Sequence, residues 1–551
     1  MNPASVIKIH PHDDLIVALR DLNKGERVKI GNETFILAEK IPAKNQFASR
    51  DFKVGEKVRM HGVVVGMVRK AIPQGGRLRV ENLQHSTSGY TKKKKSVAWD
   101  PPEVGSWLKS TFSGYHNKDG SVGTANYWVV IPLVFCENGN VLAMKEAFQN
   151  SLGYEKTSLY RNLVNKMILS YQTGSGEQDL LNNDINLESL KGKHSRIFVN
   201  VDGIKFLTHQ AGCGGTREDA KNLCGLLAGY INHPNVAGAT VLSLGCQNAQ
   251  VNLLLDEIKL RNKNFDKPLF IFEQQKSSSE QEMMLEAIKK TFLGLIETNK
   301  RTRQLAPLSK LIIGMECGGS DGFSGLSANP VMGKTADMLV ACGGSIILSE
   351  FPEFCGAEQI LIDRCVNKTI ANKFIKLLKT YETQAAAVGA SFEMNPSPGN
   401  IREGLITDAI KSAGAIKKGG TSPVVDALDY PLWIKTAGLN LLCTPGNDVE
   451  STTAMVAAGA NLILFSTGLG TPTGNPIVPV IKIASNSETA GKFADIIDFD
   501  AGSIISGTQT TEELGNNLLD VCIKVASGQI LPKAVVLGHD DFIFWKRGVS
   551  L

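Results

Sequence analysis

Glu316, Cys317, Ser320, Asp321 and Asn329 stand among glycines in the stretch MECGGSDGFSGLSANP, residues 315–330. The stretch directly follows the apolar run Leu311-Ile312-Ile313-Gly314. Carboxylates, a thiol, a hydroxyl and an amide at the end of an apolar run are materials for proton transfer and for holding a polar ligand. Glycines there permit positive φ and a close approach of backbone to a small molecule, and their amides can bind an anion. A linker has similar composition, but a linker does not end a β-branched run and then feed a helix such as Thr335 to Cys342. His209 and Cys213 share a second loop of this kind, and Cys246 lies in a third, Gly245–Asn248.

His209 and Asp321 are the expected acid–base pair, with Glu316 as the alternative, because they are the ionisable groups of the strand-end loops. If a metal binds, it is expected near His209, Cys213 and Cys317, with Cys246 beside them, rather than on the N-terminal module, although their spacing fits no standard zinc site. Cys224, Cys342, Cys365 and Cys522 read as small buried hydrophobes. Ser320, Asn329, Asn395, Ser397, Asn400, Thr421, Asn447, Asp448, Thr467 and Thr471 suit a polyhydroxylated ligand, each of whose hydroxyls needs a partner. Lys418 and Arg402 offer cations for a carboxylate.

These side chains need a scaffold, and the chain spells one out. Residues 1–91 contain short alternating segments (RVKI, TFILAEKI, KVRMHGVVVGMV, RLRVENL) broken by glycines, a small β-rich module. Within it Leu15, Ile16, Leu19 and Leu22 have helical spacing, so a helix is expected over Asp13 to Leu22. Residues 92–113, with four consecutive lysines and Pro101-Pro102, read as a linker or extended arm. From Gly114 the pattern becomes strand, glycine-rich loop, helix, which implies two α/β lobes with largely parallel sheets over 114–300 and 301–551. Residues 172–195 read as an exposed polar insertion. Ligands of open α/β sheets bind beyond the carboxyl ends of the strands. The loops His209–Thr216, Gly245–Asn248, Glu316–Asn329, Thr444–Asp448 and Thr467–Asn475 are therefore expected on one rim, walling a single pocket.

The bulk numbers exclude other classes. A formal net charge of +5 on 551 residues gives no support to nucleic-acid or membrane binding. No apolar stretch approaches the roughly 20 residues of a spanning helix, and no secretory leader is visible. Ten dispersed cysteines without a CxxC pair read as reduced thiols of a cytoplasmic protein. Neither a Walker A loop nor an HExxH helix is present.

The ordered series GYHNKDGSVGTANYWVVIP, HQAGCGGT, LGCQN, ECGGSDGFSGLSANP, NPSPGNIREGL, KSAGAIKKGGTSPV, PGNDVESTTA and FSTGLGTPTGNP resembles the altronate/galactarate dehydratase family, nearer its altronate branch. The resemblance spans nearly the whole chain. It implies that the first module is a SAF (β-clip) domain and that the activity is β-elimination of water from a sugar acid. D-altronate giving 2-keto-3-deoxy-D-gluconate in hexuronate catabolism is the simplest case. It also implies a divalent metal, usually iron(II), and a small-molecule partner; a homo-oligomer is compatible with it. One departure stands out. The family's SAF module usually carries a Gly-His-Lys segment and a His-rich segment, where this chain has Lys44-Asn45-Gln46 and RLRVEN, Arg77 to Asn82. Arg77 and Arg79 alternate on an expected strand and would share one face, from which their guanidinium forks could hold the substrate carboxylate. A lyase on a related aldonate or on galactarate, and a catalytically silent sugar-acid-binding relative, are the competing readings.

Overall fold

The computed structural model describes residues 4–154, 159–174, 176, 178, 181 and 196–550. The insertion expected at 172–195 lies largely outside them.

The N-terminal module is built of short antiparallel strands, among them β1 (Leu15–Ala18), β2 (Gln46–Ala48), β3 (Lys57–Met60) and β4 (Val63–Val68). The helix expected over Asp13 to Leu22 is instead β1. Its residues alternate between two small cores: Leu15 and Val17 face one, Ile16 and Ala18 the other. A strand buried on both faces reads as a continuous apolar run, which helical spacing can mimic. His61 and Gly62 form the two-residue turn between β3 and β4, with φ of 55° and 78°, as a type I′ hairpin requires. The expected strand at Arg77–Asn82 is instead a turn, joined to the sheet by a bridge from Arg77 to Phe47.

The arm after the module lies along the C-terminal lobe. The backbone of Lys94 donates to Asp363, and the indole of Trp107 donates to Asn516. The basic run is thus partly tied down.

The second lobe is a four-stranded sheet of β5 (Tyr127–Pro132), β6 (Gly203–Phe206), β7 (Val236–Ser243) and β8 (Leu269–Glu273), in the order β6-β5-β7-β8. All its pairings are parallel. Helix α1 (Arg217–Asn232), capped by Thr216, crosses from β6 to β7. The C-terminal lobe holds a seven-stranded sheet. Its strands are β9 (Ile312–Cys317), β10 (Ser345–Leu348), β11 (Val424–Leu428), β12 (Gly438–Leu442), β13 (Leu462–Thr467), β14 (Val480–Ala484) and β15 (Phe499–Asp500). They lie in the order β11-β12-β10-β9-β13-β14-β15, again with parallel pairings. Helices α2 (Ala328–Ala341), α3 (Asp408–Ala415) and α4 (Asp448–Ala457) pack around it. The fold class expected from the sequence is borne out.

The lobes share one core. Leu223 and Tyr230 of α1 pack in the same cluster as Met455 of α4 and Phe465 of β13. Gly229 lets the helices meet, since a Cβ there would lie 2.4 Å from the carbonyl oxygen of Ala457.

Candidate active site

Strand β9 runs through the middle of the large sheet, so the loop after it opens beyond the carboxyl ends of its neighbours β10 and β13. Glu316 and Cys317 are its last residues and are buried. Beside them, the segment after β10 contributes Glu350 and Glu353, α4 contributes Asp448 and Ser451, α3 contributes Lys411, and a short turn after α3 contributes Lys418. The Lys418 ammonium donates to Glu350 Oε2 at 2.6 Å and to Cys317 Sγ at 2.8 Å. The Cys317 thiol donates to Glu353 Oε2 at 3.0 Å. Lys411 pairs with Glu353 at 2.6 Å and donates to Asn395 Oδ1. Ser451 Oγ donates to Glu316 Oε2 at 2.6 Å.

Burial sets the protonation here, modified by neighbours. Burial and the Glu350 charge push the Glu316 carboxyl well above the ordinary range, so it is protonated beside its neighbour. Burial and Glu353 also raise Glu350. Burial pushes the Cys317 thiol well up despite Lys418, so it remains a thiol. Burial disfavours the Lys418 cation, but Cys317, Glu350 and Glu353 outweigh it and hold the ammonium charged. Burial and the charges of Glu350 and Glu353 raise Asp448 to about 7.

A small cavity lies on the module side of this cluster. Gln46, Met60 and His61 of the N-terminal module line it, facing Cys317, Ser320, Asp321, Ser324, Asn329 and Lys411. Gln46 Oε1 and Ser320 Oγ are buried and without hydrogen-bond partners among the described residues. Lys44 joins module and lobe, pairing with Asp321 at 3.2 Å and Glu403 at 2.7 Å. Gly322 and Gly404 make room for the module, because a Cβ at either would fall 2.2 or 2.3 Å from the Lys44 carbonyl oxygen. Among the described residues, the non-glycine residues at positive φ are Lys44, His61 and Glu350. All three belong to this site, and backbone strain of this kind gathers at functional sites.

Two carboxylate groupings are close enough to hold a cation: Cys317, Glu350 and Glu353, and Glu316, Glu350 and Asp448. Lys418 already fills the first. The second fits a hard divalent cation. It is all oxygen, Glu316 and Glu350 meet as a carboxyl pair, Glu316 Oε1 and Glu350 Oε1 have no other hydrogen-bond partner among the described residues, and the like-charge pressure on Glu316 would be relieved by a cation in place of its proton.

Several expectations are corrected. The strand-end loops do not wall one pocket. Gln210–Thr216 (without Gly215) and Asn248 line a separate cavity of about 330 Å³, closed by Phe544, Lys546 and Ser550 of the C-terminal tail, which shares no lining residue with the cavity at Cys317–Asn329. His209 is not poised for proton transfer or metal binding. Its Nε2 meets the Pro132 carbonyl oxygen at 2.7 Å and its Nδ1 accepts from the amide of Ala211, while burial pushes its pKa down to about 4. Neither Cys213 nor Cys246 joins a metal-holding group among the described residues. Asp321 is engaged on both oxygens. Oδ1 accepts from the amide and hydroxyl of Ser324 and from Ser485, and Oδ2 accepts from Asn486 and pairs with Lys44. That shapes the loop and leaves little freedom for proton transfer. Arg77 donates to Asn45 and Arg79 pairs with Glu39, and neither lines the cavity.

The remaining expected residues divide. Ser320 and Asn329 line the cavity, and Asn395, Lys418 and Asp448 touch or join the charged cluster. Ser397 and Asn400 form a capping box, and the Asn400 amide also holds the Ser320 carbonyl. Thr421 locks to Asp337 away from the cluster. Asn447 is the N-cap residue of α4. Thr467 binds the backbone of the turn that carries Thr471. Gly318 to Gly322 has the Gly-x-Ser-x-Gly spacing of a hydrolase elbow, but Ser320 Oγ is hydrogen-bonded to no base among the described residues, so it is not an activated nucleophile. Glu350, Glu353, Lys411, Gln46 and His61 were not anticipated as site residues. Glu350 and Glu353 had a readable signal, two acids within five residues of the apolar run Ile346-Ile347-Leu348. The others reach the site only through packing.

The comparisons agree with this architecture. Family models for the altronate/galactarate dehydratase SAF domain, the D-galactarate dehydratase/altronate hydrolase second domain and the D-galactarate/altronate dehydratase C-terminal domain match residues 4–86, 114–299 and 308–550. The chain is 32% identical to altronate dehydratase of Bacillus subtilis (strain 168), covering 99% of this chain and 100% of that one. It is 32% identical to altronate dehydratase of Escherichia coli (strain K12), covering 99% of each. Galactarate dehydratase (L-threo-forming) of the same organism is 31% identical over 96% of this chain and 93% of that one. The chain is a three-part hydro-lyase with a SAF module at its N-terminus. It belongs to the altronate/galactarate dehydratase family.

Proposed function

We propose that the chain dehydrates a sugar acid, D-altronate first among candidates, to the 2-keto-3-deoxy acid and water. The observation that carries this reading is the buried Glu316–Glu350–Asp448 group with Lys418 and Lys411, set against a cavity lined by hydroxyl and amide groups. β-Elimination next to a carboxylate needs stabilisation of the enediolate and a proton for the departing hydroxyl. Lys411, which lines the cavity, supplies positive charge for the carboxylate and enediolate. Ser320, Asn329 and Gln46 meet substrate hydroxyls. Glu316, Glu350 and Asp448 would hold a divalent metal such as iron(II), which when bound supplies Lewis-acid stabilisation of the enediolate. The enclosed space is about 10 Å³, room for a single water. A six-carbon acid therefore enters when the wall formed by the module draws back, and Lys44 is the contact that closes it.

The test is formation of a 2-keto acid from a panel of aldonates and aldarates, including D-altronate and galactarate, with and without iron(II) under anaerobic conditions. Turnover of an aldonate supports the reading, and preference for galactarate moves the substrate within the family. Binding of a sugar acid without any turnover identifies the silent relative instead.

A further inference from the structure

We propose that His61, held out by the hairpin turn of the N-terminal module, is the base that removes the proton α to the substrate carboxylate; this rests on the dehydration proposed above. Neither of the α/β-lobe groups expected from the sequence is free for that role, since His209 is spent on backbone contacts and Asp321 on its loop. His61 lines the cavity opposite Cys317, Ser320 and Lys411. No hydrogen bond to either ring nitrogen is present among the described residues, and Nδ1 is buried without a partner. The ring packs over Gly325, where even a Cβ would come within 3.6 Å of it.

The turn is built to hold this ring in place. The Asp13 carboxylate accepts from the amides of His61 and Gly62 at 3.0 and 2.8 Å, fixing a backbone conformation that a histidine rarely adopts. The charged and titratable groups around it are Lys417, His10 and Asp13, with Cys317, Asp321 and Lys411 across the cavity. Burial, with Lys417 and His10, lowers its pKa well below the ordinary value and holds the resting imidazole neutral; what separates it from His209 is the unpartnered nitrogen, not the pKa. In the proposed step the C2 proton passes to a ring nitrogen of His61, and the C–H electron pair becomes the enediolate. That pair forms the C2–C3 double bond as the C3–O bond breaks. The imidazolium, whose proton exchanges with solvent and can return to C2 when elimination lags, protonates the departing hydroxyl, which leaves as water, and the enol ketonises by moving its hydroxyl proton to C3.

The test uses the full chain. Asparagine is favoured at this turn position, so His61→Asn keeps the hairpin and removes the imidazole. It should keep the wild-type melting temperature and KM, lower kcat by about 10²–10⁴-fold, and abolish exchange of the C2 proton of D-altronate with D₂O followed by NMR. His61→Gly also suits the positive φ and leaves space, so added imidazole should restore part of its turnover. Turnover of His61→Asn within about threefold of wild type overturns the assignment. So does a rise in KM with full C2 exchange and no rescue by imidazole. Absence of turnover and exchange in the wild type with every acid tested would overturn the dehydratase reading itself, and this assignment with it.

Discussion

Lys418 shows how much a single buried charge decides. Its ammonium is 1% exposed and bridges Cys317, Glu350 and Glu353. Removing one partner of such a group strands the others, at a cost of about 3–5 kcal/mol. Lys418→Met should therefore lower unfolding stability by that order in urea titration and abolish turnover. Lys418→Met combined with Glu350→Gln should recover part of the stability but none of the activity; equal stability of the single and double variants would show that the charges are not coupled. Asp448 makes a pH prediction. Its folded pKa, about 7, lies above the ordinary 3.8, so the folded state binds the extra proton between these values. Stability conferred by the protonated carboxyl is present at low pH and declines as pH rises through that window. Asp448→Asn should flatten the decline in melting temperature between about pH 4 and pH 7. An unchanged slope would place the titration elsewhere.

At the scale of elements, the site is a joint between a β module and a strand-end loop. The loop after β9 is shaped by Asp321, whose carboxylate gathers Ser324, Ser485 and Asn486. Lys44 extends this network into the module. Lys44→Met should release the joint without touching either core. Hydrogen exchange should rise in residues 43–47 and 321–326 while the strands of the large sheet remain protected. Exchange unchanged in both segments would mean that backbone packing at Gly322 and Gly404, rather than the ion pairs, holds the module down.

For the whole molecule, the question is which lobe holds the chemistry. The second lobe has its own glycine-rich loops and its own cavity, yet its cysteines form no group that could hold a metal among the described residues. The oxygen donors lie in the C-terminal lobe. Glu350→Gln should therefore lower manganese(II) or iron(II) content, measured anaerobically on purified protein, by at least about tenfold, whereas Cys213→Ser should match wild type. Equal metal in Glu350→Gln and wild type, or its loss in Cys213→Ser, would move the site. The second lobe then serves as a buttress, since α1 and α4 share a core through Gly229 and Ala457.

The sequence by itself determined the parallel α/β lobes, the small β module before them and the importance of the loop at 315–330, because alternation of apolar runs with glycine-rich loops is local and survives in one dimension. It also named Glu316, Cys317, Lys418 and Asp448, which the structure gathers in the candidate site. It misread β1, because a strand buried on both faces has no period of its own to show. Which loops face each other was left to the tertiary structure. His209 and Glu316 looked equivalent, each at a strand end beside glycines, but they lie on different sheets, and only sheet order and lobe packing separate them. Gln46 entered only through the segment Lys44-Asn45-Gln46, and His61 stood outside the positions where the family's histidines were expected. Their roles come from the docking of the module on the C-terminal lobe, a contact between segments more than 200 residues apart, such as Lys44 with Asp321 and Glu403, that no local pattern encodes.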